Sequence, residues 1–393
     1  MRIAIVSSYL GSQVKGGAEG YVAALARSLS NGNDVVVLSG TRADAALGVP
    51  LIELPGQAPV EHDAPFPRKA VWHLRDQWSP SVHRALSREL RRLAPDVVQT
   101  NNVQGLSAAV FTAAAGFAHV HTAHDLSLLC VRAAMIREGR PCVGRCADCQ
   151  VQRSVRVPLA RRSIDHMTAV SSAVGQRLVT AGVVPPERIS VVRLGVAPTP
   201  GRLRTLEPPG LRVGFLGTLA RHKGVLTLLQ AFRSAPPTWS LLIAGEGPLE
   251  EDVRRAVATD ARLTYSGHVS GEAKAALLNS IDVVAIPSEC EEAASLVGVE
   301  AAVQGIPAVV SNRGGLPEIP EARTFRSGSP QDLLRALAWL CEDDRLAAAS
   351  RRLLARHDDF IWSTHANRME AILRRAAERP LRSRDEQRRE ATL

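Results

Sequence analysis

The sequence predicts an α/β protein with two domains, each built on a parallel β-sheet covered by helices. The chain has 393 residues, which is enough for two domains with sizeable cores. Apolar residues make up 45% of it but aromatic residues only 4%, a composition rich in Ala, Val and Leu that fits helices packed on parallel sheets. Short apolar runs alternate with segments of helical period, the pattern of repeated βαβ units.

The first half starts with an apolar strand at residues 3–6, followed by the glycine pair Gly16 and Gly17. Apolar residues at helical spacing then predict an amphipathic helix over residues 21–29. A glycine pair most often marks only a turn. Because this pair follows the first strand and opens a helix, it also favours close approach of the backbone to a diphosphate.

A later strand around Val120 runs into a histidine-rich segment that ends in His124. A lone histidine is usually structural. In open α/β sheets, however, ligands bind beyond the carboxyl ends of the strands, so His124 is a candidate site residue. Further strands predicted at residues 34–38, 96–98 and 186–192 complete the sheet of the first half.

Four of the six cysteines lie within twenty residues, in the spacing C-x11-C-x3-C-x2-C. They are Cys130, Cys142, Cys146 and Cys149. The closing C-x2-C brings two thiolates to one ion and suits tetrahedral Zn²⁺. A structural zinc site is the first interpretation, free thiols the second and an iron–sulfur cluster the third. Four protein ligands leave no open position on the metal for chemistry.

A stretch rich in proline and glycine, residues 198–210, predicts the linker between the domains. A strand over residues 211–217 follows, then a loop with Arg221 and Lys223, then a helix over residues 225–232. Two cations in a turn are often only a solvated surface. Here the Lys-Gly pair opens a helix after a core strand, which favours binding of a phosphate group.

The most informative stretch, residues 286–319, predicts a strand, an acidic loop, a helix and a second strand. Gly305 and a following proline mark the end of the helix predicted over residues 295–304. The helix N-terminus suits a phosphate, and two carboxylates, Glu292 and Glu300, bracket it with seven residues between them. Carboxylates are unexpected beside a site that binds only phosphate, but they are suitable acceptors for sugar hydroxyls.

This stretch resembles the glutamate-x7-glutamate motif of retaining GT-B glycosyltransferases, in particular those of family 4. The positions that agree with the family are Pro287, Ser288, Glu292, Leu296, Val297, Glu300, Ala301, Gly305, Pro307 and Val309. Ala294-Ser295 stands where the family usually has Phe-Gly, and Thr218 stands where it usually has an arginine. The resemblance covers about residues 1–377. It implies two Rossmann-like domains whose parallel sheets face a central cleft.

The resemblance also implies a reaction, the retaining transfer of a sugar from a nucleotide-diphosphate sugar. The acceptor, whether a glycan, a lipid-linked sugar or a small molecule, is not identified. His124 is then expected to touch the donor sugar, Glu292 to hold its hydroxyls and Glu300 to hold the ribose. The remaining donor-binding residues are expected around the diphosphate; they are Gly16, Gly17, Arg221, Lys223, Ser295 and Leu296. The catalytic residues are His124, Lys223 and Glu292, and no cofactor is expected for catalysis.

Two other functions fit the same residues. A GT-B nucleotide-sugar epimerase shares the fold and the donor but needs no acceptor. A non-catalytic scaffold that binds sugar nucleotides is also compatible with the departures at Thr218 and Ala294-Ser295.

The predicted domains are residues 1–197, with a cysteine-rich insertion at 130–150, and residues 211–359. A helix over residues 360–377 is expected to cross back to the first domain. The charged tail, residues 378–393, is expected to be disordered.

Charge is unevenly distributed, since residues 1–200 carry 22 Lys and Arg against 14 Asp and Glu, and the rest of the chain carries 26 against 25. This asymmetry predicts peripheral contact with an anionic membrane. Nucleic acid is not expected as a partner, because no aromatic residues are interleaved with the basic clusters. A strand begins at Arg2, which leaves no room for a signal peptide, and no run of about 18 apolar residues exists. The expected location is cytoplasmic, at the inner face of the membrane.

Overall fold

The computed structural model describes most of the chain. The described residues are 1–10, 17–41, 47–58, 60, 65–137, 140–142, 144, 146–208 and 210–379. Gly16 and residues 380–393 of the predicted tail therefore lie outside the described part.

The β-strands of the described residues alternate with helices along most of the chain. In chain order they are β1 (Arg2–Ser7), β2 (Asp34–Ser39), β3 (Leu51–Glu53), β4 (Val97–Thr100), β5 (His119–Ala123), β6 (Ile136–Arg137), β7 (Arg140–Pro141), β8 (His166–Ala169), β9 (Ile189–Val191), β10 (Arg212–Leu216), β11 (Ser240–Ala244), β12 (Leu263–Tyr265), β13 (Val283–Ile286), β14 (Ala308–Ser311) and β15 (Arg323–Phe325).

The α-helices lie between these strands or follow them. They are α1 (Gly17–Leu29), α2 (Phe66–Gln77), α3 (Pro80–Leu93), α4 (Ala109–Ala114), α5 (Ala147–Ser163), α6 (Ser172–Thr180), α7 (Val225–Phe232), α8 (Glu250–Thr259), α9 (Gly271–Ser280), α10 (Leu296–Val303), α11 (Pro330–Leu340), α12 (Arg345–Ala355) and α13 (Trp362–Ala377).

The chain divides into two compact units. Unit 1 comprises Met1–Ala133, Gly144–Val192 and Ala366–Leu393, and unit 2 comprises Ala134–Val143 and Arg193–His365. The hairpin β6–β7 is thus grouped with unit 2, although the strands around it belong to unit 1.

Unit 1 contains a seven-stranded sheet in the order β3-β2-β1-β4-β5-β8-β9. Every neighbouring pair in this sheet runs parallel. The inner strands β1 and β2 are buried along nearly their whole length, which explains why they read as continuous apolar runs. The predicted strand over residues 186–192 is shorter in the structure, because a 3₁₀ turn at Pro186–Arg188 precedes β9.

Unit 2 contains a six-stranded parallel sheet in the order β12-β11-β10-β13-β14-β15. Val213 and Phe215 of β10 share a buried core with Leu228 and Phe232 of α7. The two parallel sheets confirm the predicted α/β fold class. In each unit the order of the strands reverses beside the first strand, next to β1 in unit 1 and next to β10 in unit 2.

The stretch predicted to link the domains is tied firmly to unit 2. Arg204 is fully buried, and its guanidinium donates to the backbone oxygen of Asn279 at 2.7 Å and to the Oδ1 atom of Asn279 at 3.1 Å. Its backbone N–H donates to the Ser350 hydroxyl at 2.9 Å. The proline-rich composition therefore marks an extended segment that packs on unit 2.

Candidate active site

The candidate site of unit 2 lies where β10 and β13 are neighbours and the strand order reverses. In open α/β sheets, the loops at the carboxyl ends of two such strands diverge and leave a crevice for a ligand. The loop after β10 carries Lys223, and the loop after β13 carries Glu292. The topology of the sheet thus brings together two residues that are 69 positions apart in the chain.

Lys223 and Glu292 are in direct contact. The Lys223 Nζ atom donates to Glu292 Oε1 at 2.5 Å, and the Ser288 hydroxyl donates to the same oxygen at 2.7 Å. The Glu292 backbone oxygen accepts from the N–H of Gly315 at 2.7 Å, which anchors the acidic loop to the turn after β14. The carboxylate is therefore held by its backbone as well as by two side chains.

Two glycines allow these loops to approach each other. Gly224 has a φ of +74°, and a Cβ atom there would lie 1.9 Å from the backbone oxygen of Pro287. Gly314 has a φ of +54°, and a Cβ atom there would lie 2.0 Å from the backbone oxygen of Glu292. A larger residue at either position would push a loop of the site away, so both glycines have a steric reason to be there.

Burial and charge shift the pKa values of the groups around this contact. Burial alone would lower the pKa of Lys223, but the charge of Glu292 and its hydrogen bond to the lysine raise it above its ordinary value. Burial lowers the pKa of His222, and the Lys223 charge adds to this effect. Burial, reinforced by the Glu292 charge, raises the pKa of the Cys290 thiol to about 12. At neutral pH the site therefore carries an ammonium group beside a neutral imidazole and a neutral thiol.

The second carboxylate of the motif, Glu300, extends from α10 and meets a lysine of α9. The Lys274 Nζ atom lies 2.5 Å from Glu300 Oε2. Glu300 Oε2 is itself buried, so the Lys274 ammonium is the group that compensates its charge. The contact is therefore an ion pair that ties α10 to α9 and holds the Glu300 carboxylate in place.

The N-terminus of α10 begins one residue after Ser295. The Ser295 hydroxyl accepts a hydrogen bond from the N–H of Gly298 at 3.2 Å and so caps the helix. Ser295 and Leu296 are half-buried, whereas Arg221 and Thr218 in the loop after β10 are exposed. The sequence predicts Ser295 as a binding residue. In the structure Ser295 is also the N-cap of α10, and its hydroxyl already accepts a hydrogen bond from a backbone N–H.

In unit 1, His124 directly follows β5, at the carboxyl edge of the sheet. Its Nε2–H donates to the Oδ1 atom of Asn101 at 3.0 Å, and its ring meets the ring of Tyr21 edge-on at 4.5 Å. Gly17 is the first residue of α1. These contacts hold the His124 imidazole in one orientation, but its predicted role toward a donor sugar stays a prediction.

The other two histidines of this segment are structural. His119 and His121 are buried and both contact the hydroxyl of Thr100, at 2.8 and 2.9 Å. Burial lowers the pKa of His119 to about 4 and lowers the pKa of His121 well below its ordinary value. Both imidazoles are therefore neutral at physiological pH. His124, half-buried at the edge of the sheet, is the one of the three that is partly accessible.

The cysteine-rich segment brings two thiols together. Cys146 is the N-cap of α5, and its Sγ atom lies 3.4 Å from the Sγ atom of Cys149. Cys130 is buried near Cys149, and Cys142 belongs to the segment grouped with unit 2. Within the described ranges, no three Cys, His, Asp or Glu side chains are arranged to hold a metal ion. The four-cysteine zinc site remains a prediction.

Sequence inspection did not identify Lys274, Ser288 or Asn101 as site residues. Ser288 was noted only because it agrees with the family motif. Lys274 lies on a helix outside the motif, 26 positions before Glu300, and no local pattern connects the two. Asn101 directly follows β4, at the carboxyl edge of the sheet. Ligands bind at this edge in open α/β sheets, so its position could have indicated a site residue.

Comparison with known protein families gives two matches in succession along the chain. Residues 15–199 match the model described as Glycosyltransferase Family 4, and residues 210–343 match the model described as Glycosyl transferases group 1. Together the two models span most of the chain, and the second includes the strand-order reversal of unit 2. The chain belongs to the GT-B glycosyltransferases of family 4, group 1, a family of transferases in class EC 2.4.

Individual relatives agree with this assignment. A glycogen synthase of Mycobacterium tuberculosis (strain CDC 1551 / Oshkosh) is 33% identical over 192 residues, 45% of this chain and 46% of the relative. The chain thus matches about half the length of that protein. A phosphatidyl-myo-inositol mannosyltransferase of Mycobacterium leprae (strain TN) is 27% identical over 388 residues, 94% of this chain and 95% of the relative.

Solved structures share the fold at low sequence identity. Anabaena Alr3699/HepE in complex with UDP superposes with a TM-score of 0.71 at 19% identity, over 95% of this chain and 100% of that chain. The same protein in complex with UDP-glucose superposes with a TM-score of 0.67 at the same identity, over 95% and 100%. These structures support the GT-B fold.

Proposed function

We propose that this protein is a retaining glycosyltransferase that moves a sugar from a nucleoside diphosphate sugar to a hydroxyl of an acceptor. The observation that carries the proposal is the contact between Lys223 and Glu292 at the strand-order reversal of unit 2. The Lys223 ammonium group is cationic and suits a diphosphate. The Glu292 carboxylate is an anionic hydrogen-bond acceptor and suits the hydroxyls of a sugar. Because the two side chains are neighbours, one could bind the diphosphate while the other binds the adjoining sugar of the same donor.

The proposed donor lies along the loops of unit 2. Lys223 and the amides of Ser295 and Leu296, at the N-terminus of α10, would hold the diphosphate, with Arg221 contributing from the exposed side of its loop. Glu292 would accept from the sugar hydroxyls. Glu300, farther along α10, would accept from the ribose hydroxyls with its carboxylate. In unit 1, Gly17 at the start of α1 would add backbone contacts to the diphosphate.

The proposed reaction needs no nucleophile from the protein. The acceptor hydroxyl forms the new bond to the anomeric carbon on the face from which the diphosphate departs. The bond to the diphosphate breaks, and a phosphate oxygen takes the hydroxyl proton. Negative charge grows on the diphosphate during this step, so Lys223 would stabilise the transition state more than the ground state. His124, oriented by Asn101, would contact the donor sugar.

UDP is the nucleotide to test first, because the structural relative Alr3699/HepE was solved with UDP and with UDP-glucose. The match to a phosphatidyl-myo-inositol mannosyltransferase over almost the whole chain adds mannosyl donors to the test and makes a lipid-linked acceptor the first class to try. We further propose peripheral attachment to an anionic membrane. It rests on the net positive charge of residues 1–200, and no helix of the described residues is long and apolar enough to cross a membrane.

The test is an incubation of the purified protein with UDP-, GDP- and ADP-sugars, with and without a lipid acceptor fraction. Slow hydrolysis of one donor, accelerated by an acceptor with retained anomeric configuration, is the expected result. A new free sugar epimer without any need for an acceptor would instead identify an epimerase. Donor binding with no turnover would identify a non-catalytic scaffold.

Lys223→Ala is the diagnostic variant, with Lys223→Arg as its charge-preserving control. We expect kcat to fall by at least about a hundredfold for the alanine variant, because a charged hydrogen bond to the leaving group is lost. Donor affinity should fall less, and the arginine variant should recover part of the turnover. A defect confined to the donor KM would contradict the proposed role of Lys223.

A further inference from the structure

Helix α2 (Phe66–Gln77) buries its carboxylate and exposes two of its aliphatic side chains, unlike an ordinary surface helix. Asp76 on this helix is buried and receives a hydrogen bond from the buried guanidinium of Arg156 at 2.5 Å. Val71 and Leu74 point outward instead, with 50% and 73% of their surface exposed. A helix that packs on a core normally buries its apolar stripe and exposes its charges. The outward apolar side of α2 therefore needs a partner other than the core of unit 1.

The outward residues form a continuous stripe. Val71, Leu74 and Trp78 follow one another at spacings of three and four residues, which places them on one side of the helix and at its C-terminal end. Trp78 is 41% exposed, although its indole N–H contacts a threonine hydroxyl. Arg68 and Arg75, seven residues apart, are exposed beside the stripe. Within residues 66–78 the single carboxylate is the buried Asp76, so the surface of this segment is cationic.

The neighbouring helix α5 adds to the same region, since its Arg156 reaches Asp76 of α2. Its residue Val151 is 58% exposed. Across the described residues, the large apolar side chains with high exposure are Val71, Leu74, Trp78, Val151, Val191, Leu203 and Leu206. More than half of them lie on α2, directly after it or on the helix packed against it. This concentration on and around the basic helix α2 indicates an interaction site.

We propose that the outward side of α2 docks on an anionic lipid surface. Aliphatic and indole side chains partition into the boundary between headgroups and acyl chains, and flanking arginines bind lipid phosphates. A second copy of this chain fits less well, because a symmetric contact through α2 would place its basic residues opposite themselves. Nucleic acid offers phosphates for the arginines but no matching surface for exposed Leu and Val.

This inference gives the peripheral attachment under the proposed function a definite surface, and it does not depend on glycosyl transfer. Binding is therefore measured on the full-length protein without any donor, by sedimentation with vesicles of phosphatidylcholine alone or mixed with phosphatidylglycerol. Donor hydrolysis in solution is measured separately. A failure of docking can then be told apart from a failure of the proposed reaction.

The expected result is binding to the mixed vesicles, weak binding to pure phosphatidylcholine, and release by salt. The double variant Val71→Ser, Leu74→Ser should weaken binding by about tenfold or more, because it removes the apolar contribution. Arg75→Gln should weaken binding by about fivefold, the effect of one basic residue near an anionic surface. The control Leu203→Ser, Leu206→Ser alters two other exposed apolar residues, 39% and 46% exposed, and should bind like the wild type.

A second measurement uses the wild-type protein and one conservative substitution. Brominated lipids quench a tryptophan that enters the bilayer boundary, so they should quench the wild-type protein, and Trp78→Phe should lose most of that quenching. Equal binding to neutral and anionic vesicles, or unchanged binding by the Val71→Ser, Leu74→Ser variant, would overturn the proposal. Light scattering gives a further test. If the wild-type protein is a dimer and the Val71→Ser, Leu74→Ser variant is a monomer, the partner of α2 is a second copy of the chain and the proposal is overturned.

Discussion

At the scale of single residues, each carboxylate of the Glu292–Glu300 motif lies against a lysine from another loop or helix of unit 2. Lys223 binds Glu292, and Lys274 pairs with Glu300. A carboxylate beside a lysine samples fewer orientations than one facing water. The hydroxyls of a bound nucleotide sugar would therefore meet acceptors that are already positioned, which lowers the entropy cost of binding.

Glu300→Ala should weaken UDP binding by about 1–3 kcal/mol, the value of hydrogen bonds made to a charged group. The physical reason is the loss of the acceptor proposed for the ribose hydroxyls. Titration calorimetry with UDP is the measurement. Glu272→Ala, at an exposed position on the neighbouring helix α9, is the control and should leave the affinity unchanged. Equal affinities for the wild type and the Glu300 variant would remove Glu300 from the binding site.

The buried His119 predicts a dependence of stability on pH. Its pKa falls from 6.5 to about 4 in the folded protein because of burial. Between these values the unfolded chain binds a proton that the folded chain refuses, so stability should decrease as the pH falls from 6.5 towards 4. The full loss is about 3 kcal/mol, since each pKa unit corresponds to about 1.4 kcal/mol.

This pH dependence can be measured as hydrogen exchange of β4 and β5 at pH 7 and pH 5. His119→Asn should reduce the difference between the two pH values, because asparagine does not titrate there. His268→Asn, at an exposed position in unit 2, should leave the difference as it is. A wild-type protein whose β4 and β5 are equally protected at both pH values would contradict a neutral, buried His119.

The cysteine cluster keeps its zinc prediction, with one zinc expected per chain. The close approach of Cys146 and Cys149 is favourable for thiolate ligands. Elemental analysis of protein prepared without a metal-affinity tag is the measurement. Cys146→Ser should lower the zinc content, whereas Cys341→Ser, in unit 2, should not. Substoichiometric zinc together with four freely titrating thiols would leave the free-cysteine interpretation.

Some of these residue contacts could be predicted from the sequence and others could not. Glu292, Glu300 and Lys223 stand in motifs with fixed local spacing, so pattern alone identified them. The contacts of Lys274 with Glu300 and of Asn101 with His124 join residues from different elements. Their closeness depends on how helices and strands pack, and no periodicity in the sequence records that packing.

At the scale of elements, Ser295 shows how one position can serve two purposes. Glycine is usual here in the family that the sequence resembles, and this chain has serine, whose hydroxyl caps α10. The cap fixes the start of a helix of only eight residues. The departure from the family pattern therefore stabilises the helix N-terminus that is proposed to face the diphosphate.

Ser295→Ala should destabilise unit 2 by about 1 kcal/mol, because the cap hydrogen bond to Gly298 is lost. Ser295→Gly should cost only a few tenths of a kcal/mol, since glycine is itself tolerated as an N-cap. Urea unfolding followed by hydrogen exchange of unit 2 compares the two. If Ser295 served only in donor binding, the alanine and glycine variants would be equally stable and only their donor KM values would change.

For helix α2, the sequence does not predict which side of the helix faces the core. A helical pattern reports which residues share a side of the helix, but it does not say which side faces the core. In α2 the charged residue Asp76 faces inward because Arg156, eighty positions later, offers it a buried partner. The outward orientation of Val71 and Leu74 follows from that distant ion pair, so the sequence alone could not reveal the exposed stripe.

At the scale of the whole molecule, the two parallel sheets follow from the alternation of apolar strands and helices. Right-handed crossovers make such alternation build parallel sheets. The composition of a segment, however, does not show to which of the two units the segment belongs. The hairpin β6–β7 lies between strands of unit 1 and is grouped with unit 2, and the C-terminal residues from Ala366 onward are grouped with unit 1. Long-range contacts decide both memberships.

The C-terminal helix α13 should therefore stabilise the N-terminal part of the chain. Met369 and Leu373 of α13 are fully buried, and the Asn33 side chain donates to Glu370 Oε1 at 3.1 Å. Leu373→Ala should cost about 2–5 kcal/mol, as for a large apolar side chain removed from a core. The loss should appear in unit 1, as faster hydrogen exchange in β1 and α1, while β10–β14 of unit 2 keep their protection. Arg375→Ala, an exposed position on the same helix, should change neither unit. If Leu373→Ala loosened unit 2 as much as unit 1, or loosened neither, α13 would not be an integral part of the unit that begins the chain.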